Sequence, residues 1–120
     1  MGPKKIAYQI AFGDQTVPNP TSATIVRNGL LDVTTLYRND RTPTASSNPH
    51  GFLLDPRIQG RDQAQVQVVE FLDSVGKDVI DPDSGGPTWE VPIADPKTLE
   101  VLNFDPDYGE DKPANCSSGG

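Results

Sequence analysis

The sequence predicts a mainly β protein, a small antiparallel β-sandwich or barrel followed by an extended, proline-rich acidic arm. Three observations lead there. Residues 5–12 alternate, with Ile6, Tyr8, Ile10 and Phe12 set against Ala7, Gln9 and Ala11, which is the period of a half-buried strand. Asn28-Gly29 lies between runs rich in β-branched residues and supplies the two positive-φ positions of a type I′ hairpin turn, pairing residues 23–27 with 30–37. Four Asp-Pro dipeptides, beginning at Asp55, Asp81, Asp95 and Asp105, bias the chain away from helix and mark edges and corners.

Taken in order, Gly13 and Asp14 close the first strand, and Pro18-Asn19-Pro20 reads as an extended spacer. Polar turns follow at residues 38–43 and 46–51. The stretch 62–76, DQAQVQVVEFLDSVG, supports two readings. As a helix it has Asp62 as N-cap, Gln65 in the capping-box place, an apolar face of Ala64, Val68, Phe71, Leu72 and Val75, and Gly76 as the stop. As a strand it offers a valine-rich run between strand-like flanks, and the strand is favoured. The division is then a β-domain over residues 1–76 and an acidic extension over 77–120.

The 120 residues suit one core, but the hydrophobic share is only 34%, with 12 prolines and 11 glycines, so a neighbour is expected to supply part of the stability. Charge is uneven. Residues 1–60 carry 6 Lys/Arg against 4 Asp/Glu, and residues 61–120 carry 4 against 13. Phosphate backbones would be repelled by that second half, so nucleic acid is not an expected partner. No run of 18 apolar residues occurs, and MGPKKIAYQI lacks the apolar stretch of a signal peptide, so no membrane is expected and synthesis is placed in a cytosol.

Little in the sequence carries chemistry. His50, the only histidine, sits in an Asn-Pro-His-Gly turn and reads as exposed; Cys116, the only cysteine, lies in a polar tail and reads as a plain thiol. Asp81-Pro82-Asp83-Ser84-Gly85-Gly86 begins like a calcium loop but has Gly85 and Pro92 where ligands belong. The acidic cluster from Asp105 to Asp111 shares that weakness. Neither a catalytic residue, a metal nor a cofactor is assigned. Instead, Trp89, Val91, Ile93, Leu99, Leu102 and Phe104 read as apolar anchors that an acidic arm would bury in a partner.

Residues 23–52 also carry a motif: Thr35-Leu36-Tyr37, then Thr42-Pro43, Asn48-Pro49 and Gly51-Phe52. It resembles the β-domain that recurs in tailed-bacteriophage virion proteins. After Asn-Pro that family shows an acidic residue with Gly and a Gly-Tyr-Asp ending, where this chain has Asp55-Pro56 and Gln59-Gly60. The resemblance implies a non-enzymatic virion component, foremost a capsid decoration or cement protein bracing neighbouring major capsid subunits, with a homo-oligomer expected. A neck, tail or fibre adaptor, a generic β-sandwich binding module, and a small enzyme or metal-binding protein are the other readings.

Overall fold

The alternating segment forms a strand, but its neighbour runs parallel to it. In a computed structural model that describes residues 4–46 and 48–100, β1 (Tyr8–Ala11) pairs with β2 (Thr34–Tyr37) from Tyr8 opposite Thr34 to Ala11 opposite Tyr37. A short β3 (Trp89–Glu90) joins β2 antiparallel, and the sheet order among the described residues is β1-β2-β3. Parallel strands need a crossover rather than a tight turn. Here it contains helix α1 (Asn19–Ile25), which runs on through a wider, kinked turn over Val26–Leu30.

The Asn28-Gly29 hairpin is therefore overturned. A type I′ turn needs positive φ at both central residues, whereas Asn28 has φ −81° and only Gly29 is positive, at 114°. The pair ends the helical stretch, with the Asn28 amide donating to the Thr24 carbonyl at 2.8 Å. Ser22, Ala23 and Val26 point inward at helical spacing and are buried. The Pro18-Asn19-Pro20 spacer becomes the helix start, where Pro20 costs nothing because first-turn N–H groups have no intrahelical partner.

The favoured strand over 62–76 is a helix, α2 (Arg61–Asp73). Its end is a Schellman turn: the Gly76 N–H donates to the Phe71 carbonyl at 2.8 Å and the Val75 N–H to the Leu72 carbonyl at 3.1 Å. A mainly β sandwich or barrel is thus not the fold. The protein is a small mixed α/β domain whose three-stranded sheet is covered on both faces. Strand alternation separates two buried faces rather than core from solvent. Ile10 and Leu36 meet Ala23, Val26, Ile93 and Leu99 under α1 and the 3₁₀ turn Pro96–Glu100. Ala11 and Tyr37 meet Phe52, Ile58, Ala64 and Trp89 under α2.

Trp89, Ile93 and Leu99 of the expected arm are part of this core, with Val91 packed against it. Their junction with β2 is secured by Arg38, 8% exposed, whose guanidinium pairs with Asp40 at 2.7 Å and Glu90 at 2.8 Å and lies over the Phe12 ring. Leu102, Phe104, the cluster from Asp105 to Asp111 and Cys116 lie outside the described residues. No described helix is long and apolar enough to cross a membrane.

Gly60 immediately precedes α2, and a Cβ there would overlap the buried ring of Tyr37. Gly60→Ala is expected to lose about 1–3 kcal/mol through overpacking, read by urea unfolding. A variant as stable as the parent would contradict this close approach of α2 to the sheet.

Candidate functional site

Helix α2 is held to the sheet by amides. Gln67, 1% exposed, donates through Nε2 to Thr35 Oγ1 and to the Ile80 carbonyl, both at 2.8 Å, and accepts at Oε1 from Gln9 Nε2 at 2.8 Å. Gln9 also donates to the Ala64 carbonyl at 3.1 Å. One turn earlier, Gln63 Oε1 accepts from the Trp89 indole at 2.9 Å. Gln65, on the helix flank, donates to the Leu53 carbonyl at 2.8 Å. Buried polar groups demand partners, and each glutamine on this helix has one.

With Gln67 and Ala64 turned inward and Val68 and Phe71 half-buried, the other apolar residues of α2 turn outward. Val66, Val69 and Leu72, three residues apart and so on one stripe, are 50%, 62% and 69% exposed, and Val75 just beyond them is 79% exposed. Asp62, Glu70 and Asp73 flank the stripe and are exposed. The only basic residue on α2, Arg61, is paired with Asp62 at 2.7 Å. An exposed apolar stripe with a polar rim is the mark of an interaction surface.

The residues singled out as partner anchors lie elsewhere. Trp89, Ile93 and Leu99 are buried at 3%, 3% and 0% exposure, and Val91 packs against the Tyr37–Trp89 cluster. The structure brings Trp89 and Val91 together under α2, and Ile93 and Leu99 together under α1, as core rather than as contact surface. Sequence reasoning missed Val66 and Val69. The signal available was the spacing of Gln63 and Gln67, one helical turn apart on the face opposite the valines.

Two further clusters hold titratable groups. His50 is not merely an exposed turn residue: Nδ1 lies 2.9 Å from Asp14 Oδ2, while Asp14 Oδ1 accepts from the Thr16 and Val17 N–H groups at 2.8 and 2.9 Å. Asn48 Oδ1 accepts from the N–H groups of both Gln15 and His50, so the cluster clamps two loops beside a cleft of about 190 Å³. Ser22 lines that cleft, but among the described residues no hydrogen bond joins it to His50. Held by Asp14, the imidazole braces the two loops.

In the calcium-like loop the carboxylates take backbone donors, except at Asp83 Oδ1, which is buried without a partner. Asp81 accepts from the N–H groups of Asp83 and Gly85, and Asp83 accepts from that of Thr88. Among the described residues no group of three or more His, Cys, Asp or Glu could hold a metal ion. Burial, then the adjoining Asp81 carboxylate, pushes the Asp83 carboxyl above the ordinary value of 3.8.

No family model matches the chain, and neither a curated protein nor a solved structure is found similar to it. The site therefore has to be read from its own geometry.

Two outcomes follow from that geometry. Gln67→Leu keeps the volume but strands the Thr35 hydroxyl and the Ile80 carbonyl and leaves the Gln9 amide only its bond to Ala64. It is expected to lose at least about 2 kcal/mol, since unpartnered buried groups cost about 1–3 kcal/mol each. Equal or higher stability in denaturant would contradict the anchoring role. For Asp83, a folded pKa above the unfolded one means that the protonated acid contributes stability fully present below 3.8 and lost as pH rises through the raised value. Asp83→Asn, which can still accept from Thr88 and can donate to Asp81, should melt higher than the parent at pH 7, with the gap closing below 3.8. A gap that widens on acidification would contradict the assignment.

Proposed function

We propose that this protein is a non-enzymatic structural component that docks, through the outward face of α2, onto a protein surface with an apolar floor and a basic rim. The single observation that carries the reading is the stripe Val66, Val69, Leu72, held outward by amides on the opposite face and flanked by Asp62, Glu70 and Asp73. An apolar centre supplies the driving force on association, and acidic flanks select a basic partner by charge complementarity. The overall charge of −7 favours the same class of partner.

A place in a tailed-phage virion, as capsid decoration or as neck, tail or fibre adaptor, is supported by the residue motif in 23–52 alone. The β-domain that the resemblance implies is not the fold of this chain. Thr35-Leu36-Tyr37 does form strand β2, but beside a parallel neighbour. Docking on an assembly is the part of that expectation which the exposed stripe supports independently.

The test is photocrosslinking in the producing cell with a photoreactive residue at Val69, compared with one at Lys97, which is exposed on the turn covering the other sheet face. The expected result is a discrete protein adduct from position 69, its peptide carrying apolar residues with Lys or Arg, and none from position 97. Equal, diffuse labelling from both would overturn the docking reading.

A further inference from the structure

Just past the C-terminal end of α2 the same chain carries a surface of the complementary kind. Lys4, Lys5 and Lys77 rim an open cleft of about 540 Å³ whose floor includes Ile6, Val33 and Val79. It lies where the N-terminal ends of β1 and β2 meet the ends of α1 and α2, whose last carbonyls favour nearby cations. Among the described residues none of the three lysines is in an ion pair, and the lining holds one acid, Asp32. Ile6 is 48% exposed there. The cleft thus sets lysines beside the apolar side chains of Ile6, Leu30, Val33 and Val79, and the α2 stripe sets acids beside apolar ones.

We infer that the partner of the α2 stripe is a second copy of this chain, which receives Val69, Leu72 and Val75 in its lysine-rimmed cleft and sets its lysines against Glu70 and Asp73. This rests on the docking reading above and names its occupant. The stripe cannot fold into the cleft of its own chain, because Gln67 fixes the rotation of α2 and Val75, Gly76 and Lys77 form the corner between the two surfaces. That contiguity has a consequence for symmetry. A two-fold axis near the corner lets each copy place its stripe in the other's cleft, so one self-complementary patch serves both halves of an isologous interface. Both contacts are charge-selected, and their strength falls with salt as the exposed lysines and carboxylates are screened.

The experiment is sedimentation or light scattering of the full chain at tens to hundreds of micromolar, with two reversed variants. One variant carries Lys4→Glu, Lys5→Glu and Lys77→Glu; the other carries Glu70→Lys and Asp73→Lys. The expected result is twice the chain mass for the parent, the single-chain mass for each variant alone, and restoration of the doubled mass when the two variants are mixed. Restoration on mixing also shows that both variants are folded. A parent that stays monomeric over the whole range, variants that pair like the parent, or a mixture that fails to pair would each overturn the inference. A monomeric parent that still crosslinks to another protein through position 69 would remove the second copy as partner and leave the docking reading standing.

Discussion

A single amide, that of Gln67, sits buried between α2 and the sheet, where its nitrogen serves Thr35 and Ile80 and its oxygen takes the Gln9 amide. It ties together β1, β2, α2 and the chain after α2, and with Gln63 on Trp89 it fixes how α2 is turned about its own axis. Turning the helix to cover its partly exposed valines and Leu72 would gain roughly 1–2 kcal/mol for each side chain. It would also strand several buried polar groups at about 1–3 kcal/mol each. A larger side chain would then be driven into the place of Ala64, which has no exposed surface. The cheaper arrangement keeps Gln67 inside and Val66 and Val69 outside, and an apolar stripe on the surface is its by-product.

How much of this could be read from the residues depends on which level of structure is asked about. Strand β1 was legible because Tyr8, Ile10 and Phe12 alternate with small or polar residues, and Trp89 to Ile93 was legible as a short apolar piece. The pairing was not. Asn28-Gly29 is a hairpin signal only when both residues take positive φ, and the same dipeptide ends a helix when Gly29 alone does. The stretch 62–76 fits both periods, and valine-rich composition pointed to strand. What decided it was long-range: Gln67 finds its partners 32 residues upstream in Thr35 and 13 downstream in Ile80. The helical reading named Ala64, Val68 and Phe71 as inward and also Leu72 and Val75, but the last two are exposed. A hydrophobic-face argument cannot see that glutamines win the inner positions.

The anchor residues illustrate the same limit in the other direction. Isolated apolar residues among prolines and acids read as an arm in search of a partner, yet Trp89 closes an aromatic cluster with Tyr37 and Phe52 at centroid distances of 5.1 and 6.2 Å. Ile93 and Leu99 seal the other face. Carboxylates in the loops around them accept from backbone N–H groups, as those of Asp81 and Asp83 do. Among the described residues Glu70 and Asp73 on α2 are in no ion pair, and neither, with opposite sign, are Lys4, Lys5 and Lys77. A protein this small can thus hold its core with short strands and few apolar residues while leaving an apolar stripe and a lysine-rimmed cleft outside that core.

The rotation of α2 is the claim on which the docking surface stands, and thiol labelling tests it directly. In a Cys116→Ser background, single cysteines are placed at Ala64, Val66 and Val69, and their reaction with a soluble maleimide is followed under native conditions at dilution where copies stay apart. The account requires cysteines at 66 and 69 to react at close to the rate of the unfolded chain, and the cysteine at 64 to be protected until the protein opens. Protection at 66 and 69 with fast reaction at 64 would contradict it, because α2 would then bury its valines and turn its amides to water.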